Sequence, residues 1–160
     1  MSRPPTRPRR RVPRTTIGWR EWVSFPELGV DAIKAKVDTG ARTSALHAHR
    51  LRVVETDAGP VARFEIHPIQ KRRTPSIPAE LPITDWRNIR SSNGLHQRRP
   101  VVVTELVAGD ERWEVELTLT SRDEMGFRLL LGRTAIGGRF LVDVSRSYLL
   151  GRPDAVQPSS

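Results

Sequence analysis

The chain has 160 residues, a formal net charge of +9 and no cysteine. That length suffices for one domain with its own core, and the missing cysteines exclude a disulfide framework or a thiolate zinc site. No apolar run reaches membrane-spanning length and no signal-peptide core follows the basic N-terminus, so a cytoplasmic protein is expected.

The charge is unevenly spread. Residues 1–16 hold Arg3, Arg7, Arg9, Arg10, Arg11 and Arg14, four prolines and no acid. Subtracting those six from the 27 basic residues leaves 21 against 18 acids, or +3 for the rest. The segment cannot bury a core and is read as a disordered Arg/Pro-rich tail. With so mildly basic a body, nucleic acid is expected to meet the tail if it meets this chain at all. The folded domain is expected over 17–150, followed by a loose tail over 151–160.

Taken in order, Trp19-Arg20-Glu21-Trp22-Val23-Ser24-Phe25 alternates apolar and polar residues as a half-buried strand does. Pro26 and Gly29 end it. Ile33, Ala35 and Val37 then stand at period two and run into Asp38-Thr39-Gly40. Residues 44–47 and 51–55 read as further strands. Asp57-Ala58-Gly59-Pro60 turns the chain into an alternating run over 61–66, a hairpin. Residues 67–82 are expected to be irregular, because Pro68, Pro75, Pro78 and Pro82 oppose both helix and central strand. Lys71-Arg72-Arg73 makes that loop basic, as a solvated face. One more strand is expected over 83–89 and a turn over 91–94. A second hairpin joins 101–107 to 113–119. Residues 127–133 form an apolar strand ending at Gly132, and 134–138 one helical turn with a glycine stop. A last strand covers 140–144. Short strands separated by Gly and Pro turns indicate an all-β barrel or sandwich.

The Asp38 turn carries the chemistry. Its carboxylate stands at the end of a buried strand, Gly40 lets the backbone approach closely, and Thr39 offers a bracing hydroxyl. An aspartic peptidase needs such a rigid carboxylate with room for a water. The same tripeptide also makes an ordinary turn between strands. The histidines are His47, His49, His67 and His96, with no His-Glu-x-x-His arrangement. His47 and His49 share a face if their strand continues, which leaves an improvised zinc site as a lesser alternative. There is no Walker-type Gly-Lys-Ser/Thr sequence for a nucleotide. The expectation is no metal and no cofactor.

Two apolar strands thus end in Asp38-Thr39-Gly40-Ala41 and Leu130-Leu131-Gly132-Arg133, the second followed by a short helical turn. This resembles retropepsin-like aspartic peptidases. More closely, Lys36-Val37-Asp38-Thr39-Gly40-Ala41-Arg42-Thr43-Ser44-Ala45-Leu46-His47-Ala48, Ile89-Arg90-Ser91-Ser92, residues 116–123 and residues 125–133 look like one bacterial family. Its members are labelled both ATP-dependent zinc protease and retropepsin-like aspartic endopeptidase, and are associated with RimK-type glutamate ligases. The resemblance spans about residues 17–148.

The resemblance implies an all-β, retropepsin-like closed barrel (the acid protease fold) with one short helix near the C-terminus. It implies a peptide or protein substrate and the catalytic residues Asp38, Thr39 and Gly40. Ala41, Arg42, Gly132 and Arg133 would contact substrate or brace the loops, the arginines by pairing with carboxylates. Two carboxylates must share one proton over one water. A single Asp-Thr-Gly therefore implies a homodimer, unless an internal Asp123 or Asp143 supplies the second. The 51–66 or the 101–119 hairpin would close over substrate. The alternative function is a non-catalytic β-barrel module that binds a peptide or partner linked to a RimK-type ligase. No membrane partner is expected.

Overall fold

The computed structural model describes residues 14–90, 94–121 and 126–153. Its strands are β1 (Thr15–Gly18), β2 (Arg20–Phe25), β3 (Val30–Val37), β4 (Ser44–His47), β5 (His49–Thr56), β6 (Gly59–Ile66), β7 (Ile77–Pro82), β8 (Asp85–Arg90), β9 (His96–Ala108), β10 (Glu111–Thr120), β11 (Leu129–Leu131) and β12 (Phe140–Asp143). The short helix α1 (Arg133–Ile136) lies between the last two. Among the described residues no helix is long and apolar enough to cross a membrane.

Neighbouring strands pair in the order β10-β4-β11-β3-β2-β9, and β9 pairs back onto β10. This closes a 6-strand barrel, with β8 added outside β9. Closure satisfies the backbone donors that an open sheet would leave at its edges. Period-two patterning aims the apolar set inward: Ile33, Ala35 and Val37 of β3 are buried, as are Leu117 and Leu119 of β10 and Leu129 and Leu131 of β11. Gly109, at φ 59, makes the tight turn between β9 and β10.

A separate sheet, β5-β6-β7, is inserted between β4 and β8. Ala62, Phe64 and Ile66 of β6 join the apolar core. Here the expected irregular stretch over 67–82 is corrected, because residues 77–82 form β7. Pro78 and Pro82 oppose Glu65 and Val61 of β6. They are tolerated because β7 is an edge strand, where alternate N–H groups have no ladder partner to lose. β9 also begins five residues before the expected strand. His96, Gln97, Arg98 and Arg99 lack apolar alternation, yet they pair with β8.

The chain ends meet. Thr15 and Thr16, placed in the tail by composition, pair in parallel with Phe140 and Leu141, so the strand begins two residues before the expected boundary. Glu21, 1% exposed, accepts hydrogen bonds from the backbone N–H groups of Gly18 (2.7 Å), Leu149 (2.9 Å) and Leu150 (3.0 Å). A buried carboxylate thus ties the segment after β12 to the start of the barrel. The remaining tail residues, 1–13 and 154–160, lie outside the described residues.

Candidate active site

β11 is the piece that shapes the Asp38 loop. It lies between β3 and β4, parallel to the first and antiparallel to the second. The chain leaving β3 must therefore pass round the end of β11 to enter β4. Asp38 N–H donates to the Leu131 carbonyl at 2.9 Å, continuing the β3–β11 ladder one residue further. Gly40 N–H donates to Asp38 Oδ1 at 3.0 Å and fixes the carboxylate, which is half-buried at the barrel end.

The return side is equally tied. Arg133 N–H donates to the Ala41 carbonyl at 2.8 Å, and Thr134 donates to the Arg42 carbonyl through N–H (3.2 Å) and Oγ1 (3.0 Å). Gly132 N–H donates to Ser44 Oγ at 3.0 Å. A Cβ on Gly132 would stand 2.7 Å from the Thr43 backbone and 3.0 Å from the Ala41 carbonyl, so only glycine allows this approach. The Arg133 guanidinium reaches across to the carbonyls of Thr39 (3.0 Å) and Gly40 (3.1 Å). The structure thus brings Asp38, Thr39, Gly40, Ala41, Gly132 and Arg133 into one hydrogen-bonded unit. Arg133 holds backbone oxygens, where a carboxylate partner had been expected. Arg42 joins through its carbonyl and keeps an exposed side chain.

That side chain lines a cleft of about 740 Å³ together with Thr43, Thr134 and Ala135. The opposite wall is Trp86, Arg87, Asn88 and Ile89 of β8 with Glu114, Val115 and Glu116 of β10. Arg87 pairs with Glu116. Such a volume suits a ligand or a few peptide residues. The 51–66 segment forms the β5–β6 hairpin of the separate sheet, and the 101–119 segment lies in the β9–β10 hairpin, whose Glu114, Val115 and Glu116 line this cleft. Sequence reasoning missed β8 as a wall of this cleft, and it did not single out Ser44. The local signals for β8 were its strand pattern and the Ile89-Arg90 start of one resembling block.

Asp143, one candidate for an internal second carboxylate, accepts hydrogen bonds from Ser145 Oγ (2.6 Å) and N–H (3.0 Å). These bonds hold its carboxyl below the usual range in an exposed turn. Asp123 lies outside the described residues.

Three of the histidines converge. The His47 and His49 ring centroids are 4.1 Å apart, and His49 stacks on His67 at 3.6 Å. Arg128, 6% exposed, directs Nη1 to His47 Nδ1 (2.7 Å) and His49 Nε2 (3.3 Å). A guanidinium only donates, so both ring nitrogens accept. His47 then carries its proton on Nε2, which donates to the Ser121 carbonyl at 3.2 Å. A cation stands where ring lone pairs converge, and no group of three or more His, Cys, Asp or Glu among the described residues could hold a metal.

A closed barrel in which an Asp-Thr-Gly loop wraps the end of a Leu-Leu-Gly strand defines a retropepsin-like architecture. The chain belongs to the RimB-like family, described as retropepsin-like aspartic endopeptidase RimB, which it matches over residues 16–153. A crystal structure of a Legionella pneumophila protein of unknown function is similar, with TM-score 0.69 and 26% identity over 85% of this chain and 98% of that one. Proteins named "Probable alpha-L-glutamate ligase" are also similar. The one from Shewanella halifaxensis is 49% identical over 141 residues, 88% of this chain and 31% of that protein. The one from Parasynechococcus marenigrum is 47% identical over 135 residues, 84% of this chain and 29% of that protein. The chain therefore spans about three-tenths of the length of these curated relatives.

Proposed function

We propose that this chain is an aspartic endopeptidase whose nucleophile is a water held by two Asp38 carboxylates, one from each of two copies. The observation that carries the reading is the rigid Asp38 loop, fixed by Gly40 N–H and by the Leu131–Gly132–Arg133 brace. Two carboxylates at such close range share one proton, since both cannot ionise comfortably. The ionised one takes a proton from water as the oxygen attacks the scissile carbonyl, while the protonated one donates to the carbonyl oxygen. The tetrahedral intermediate then collapses as the amide nitrogen is protonated and leaves. Thr39, exposed beside Asp38, is the residue that would reach the partner's loop. The cleft between the Arg42–Thr43 segment and β8 is read as the substrate channel.

A second reading is favoured by the relatives' names. A domain sharing about half its residues with part of a ligase-named protein is consistent with association with a RimK-type glutamate ligase, as a module that binds that enzyme or its peptide product. The mildly basic body suits acidic peptides in either case.

One experiment separates the readings. Asp38→Asn keeps the shape of the loop and removes the base, so cleavage of a peptide substrate should fall at least about a hundredfold with folding intact. Added in excess to wild-type chain, it should suppress wild-type activity through mixed dimers, while sedimentation follows assembly. Undiminished activity of a dilute monomer would exclude the shared dyad. Normal cleavage by Asp38→Asn would end the aspartic reading, and ligase binding indifferent to that substitution would favour the module.

A further inference from the structure

The inserted sheet carries a second cavity, of about 330 Å³, lined by His49, Arg50, Glu65, His67, Arg73 and Ser76. None of these belongs to the Asp38 loop or its brace. Five of the six bring hydrogen-bond donors: two guanidiniums, two imidazoles and a hydroxyl. Glu65 is the acid in this wall, and Arg50 Nε stands 3.7 Å from its carboxylate. Arg73 is exposed and makes no ion pair among the described residues. His67 is 6% exposed; its Nε2 meets Ser76 Oγ at 3.2 Å, and its buried Nδ1 has no hydrogen-bond partner. Behind it, the His67–His49 stack leads to the buried Arg128 guanidinium. Positive charge is thus held close to the cavity in a place where water screens it poorly.

We propose that this cavity is an oxyanion-binding site that takes a carboxylate or phosphate group, delivered either as a small free anion or as an acidic side chain of a peptide. Arg73 supplies the charge at the mouth, Ser76 and the imidazoles supply donors at the wall, and Arg128 sets the field from behind. The site does not depend on the peptidase reading. Binding is coupled to a proton. Burial, then Arg128, with smaller contributions from Arg73 and Arg50, hold the His67 imidazole below its usual range, and Glu65 opposes them. An anion in the cavity offsets the Arg128, Arg73 and Arg50 charges, so His67 becomes easier to protonate when the site is filled. By linkage the anion then binds more tightly as pH falls.

The test is a proton NMR titration of the full Asp38→Asn chain, which removes any cleavage. The probes are inorganic phosphate, a glutamate-rich peptide and its glutamine-substituted counterpart at matched ionic strength. We expect saturable shifts of the His67 ring signals, with affinity at least about threefold higher at pH 6 than at pH 8. Arg73→Gln should weaken binding about fivefold or more at unchanged melting temperature, and Glu65→Gln should strengthen it. Binding of phosphate alone identifies a free-anion site. Binding of the acidic peptide alone identifies a side-chain site, and the glutamine peptide should fail in both cases. Absence of a saturable shift with either anion, or a shift unchanged by Arg73→Gln, overturns the proposal. So does equal binding of the glutamine peptide.

Discussion

At the C-terminal end of β11, the Asp38 loop is gripped by neutral backbone groups: Leu131 accepts from Asp38, Arg133 donates to Ala41, and Gly132 donates to the Ser44 hydroxyl. At its N-terminal end, Arg128 accepts from His47 N–H through its carbonyl (2.8 Å) and spreads its side chain against imidazoles. One strand of three residues therefore joins two regions built on different physics. The first depends on close approach and has no titrating group among those bonds. The second depends on which rings are neutral. Shape should decide the integrity of the Asp38 loop, and proton concentration that of the histidine cluster.

The strongest way to break this comparison is at Gly132. An added methyl meets backbone atoms at 2.7 Å, and neither the Thr43 nor the Ala41 backbone can swing aside as a side chain could. Gly132→Ala should lower stability by about 1–3 kcal/mol, read as a lower denaturant midpoint at unchanged slope. Gly40→Ala is the sharper contrast, since its Cβ meets only Asp38 Oδ1, at 3.3 Å. Equal stability of Gly132→Ala and the parent would mean that close packing does not set the loop.

Next is the pH dependence of stability. The folded state holds the His67 imidazole below its usual value of 6.5. The unfolded chain therefore binds the proton first as pH falls. This contribution is fully present above about pH 6.5 and is lost as pH drops through the lower folded value. Denaturation series from pH 8 to pH 5 should show a flat region followed by a decline, and His67→Gln should reduce the decline. Stability that rises over that window would reverse the sign and remove the charge argument.

Arg133→Ala should have a smaller effect, about 0.5–1.5 kcal/mol, because the guanidinium is exposed and its two carbonyl acceptors can turn to water. The loss of loop order should show as lower hydrogen-exchange protection factors at the Asp38 and Ala41 amides, to the same extent at different pH values. Both bonds leave the single nitrogen Nη1, so lysine, whose ammonium carries three donors, should recover part of the loss. The smallest effect is expected for Asp143→Ala, which releases only an exposed turn to Ser145. Melting temperature and any peptidase activity should stay near those of the parent, and loss of cleavage would restore Asp143 as a second carboxylate.

Local pattern was enough for much of the barrel. Period-two burial in β3 and β10, the β9–β10 turn and the Leu-Leu-Gly strand were all readable, as was the 57–58 turn of the inserted sheet, because each is decided by neighbours in the chain. The family resemblance, carried by the 36–48 and 125–133 blocks, placed Asp38 and Gly132 in one site. Tertiary structure decided the rest. Pro78 and Pro82 forbid a central strand, and only the position of β7 at an edge makes them acceptable. His96 to Arg99 become a strand because β8 offers a ladder. Arg133 grips two carbonyls 93 and 94 positions away, and Arg128 reaches His47 81 positions away. The sequence by itself determined which residues must be buried and which turn the chain. Which polar groups meet depends on how the barrel closes, because hydrogen bonds and charge pairs act over a few ångströms in space, whatever the separation along the chain.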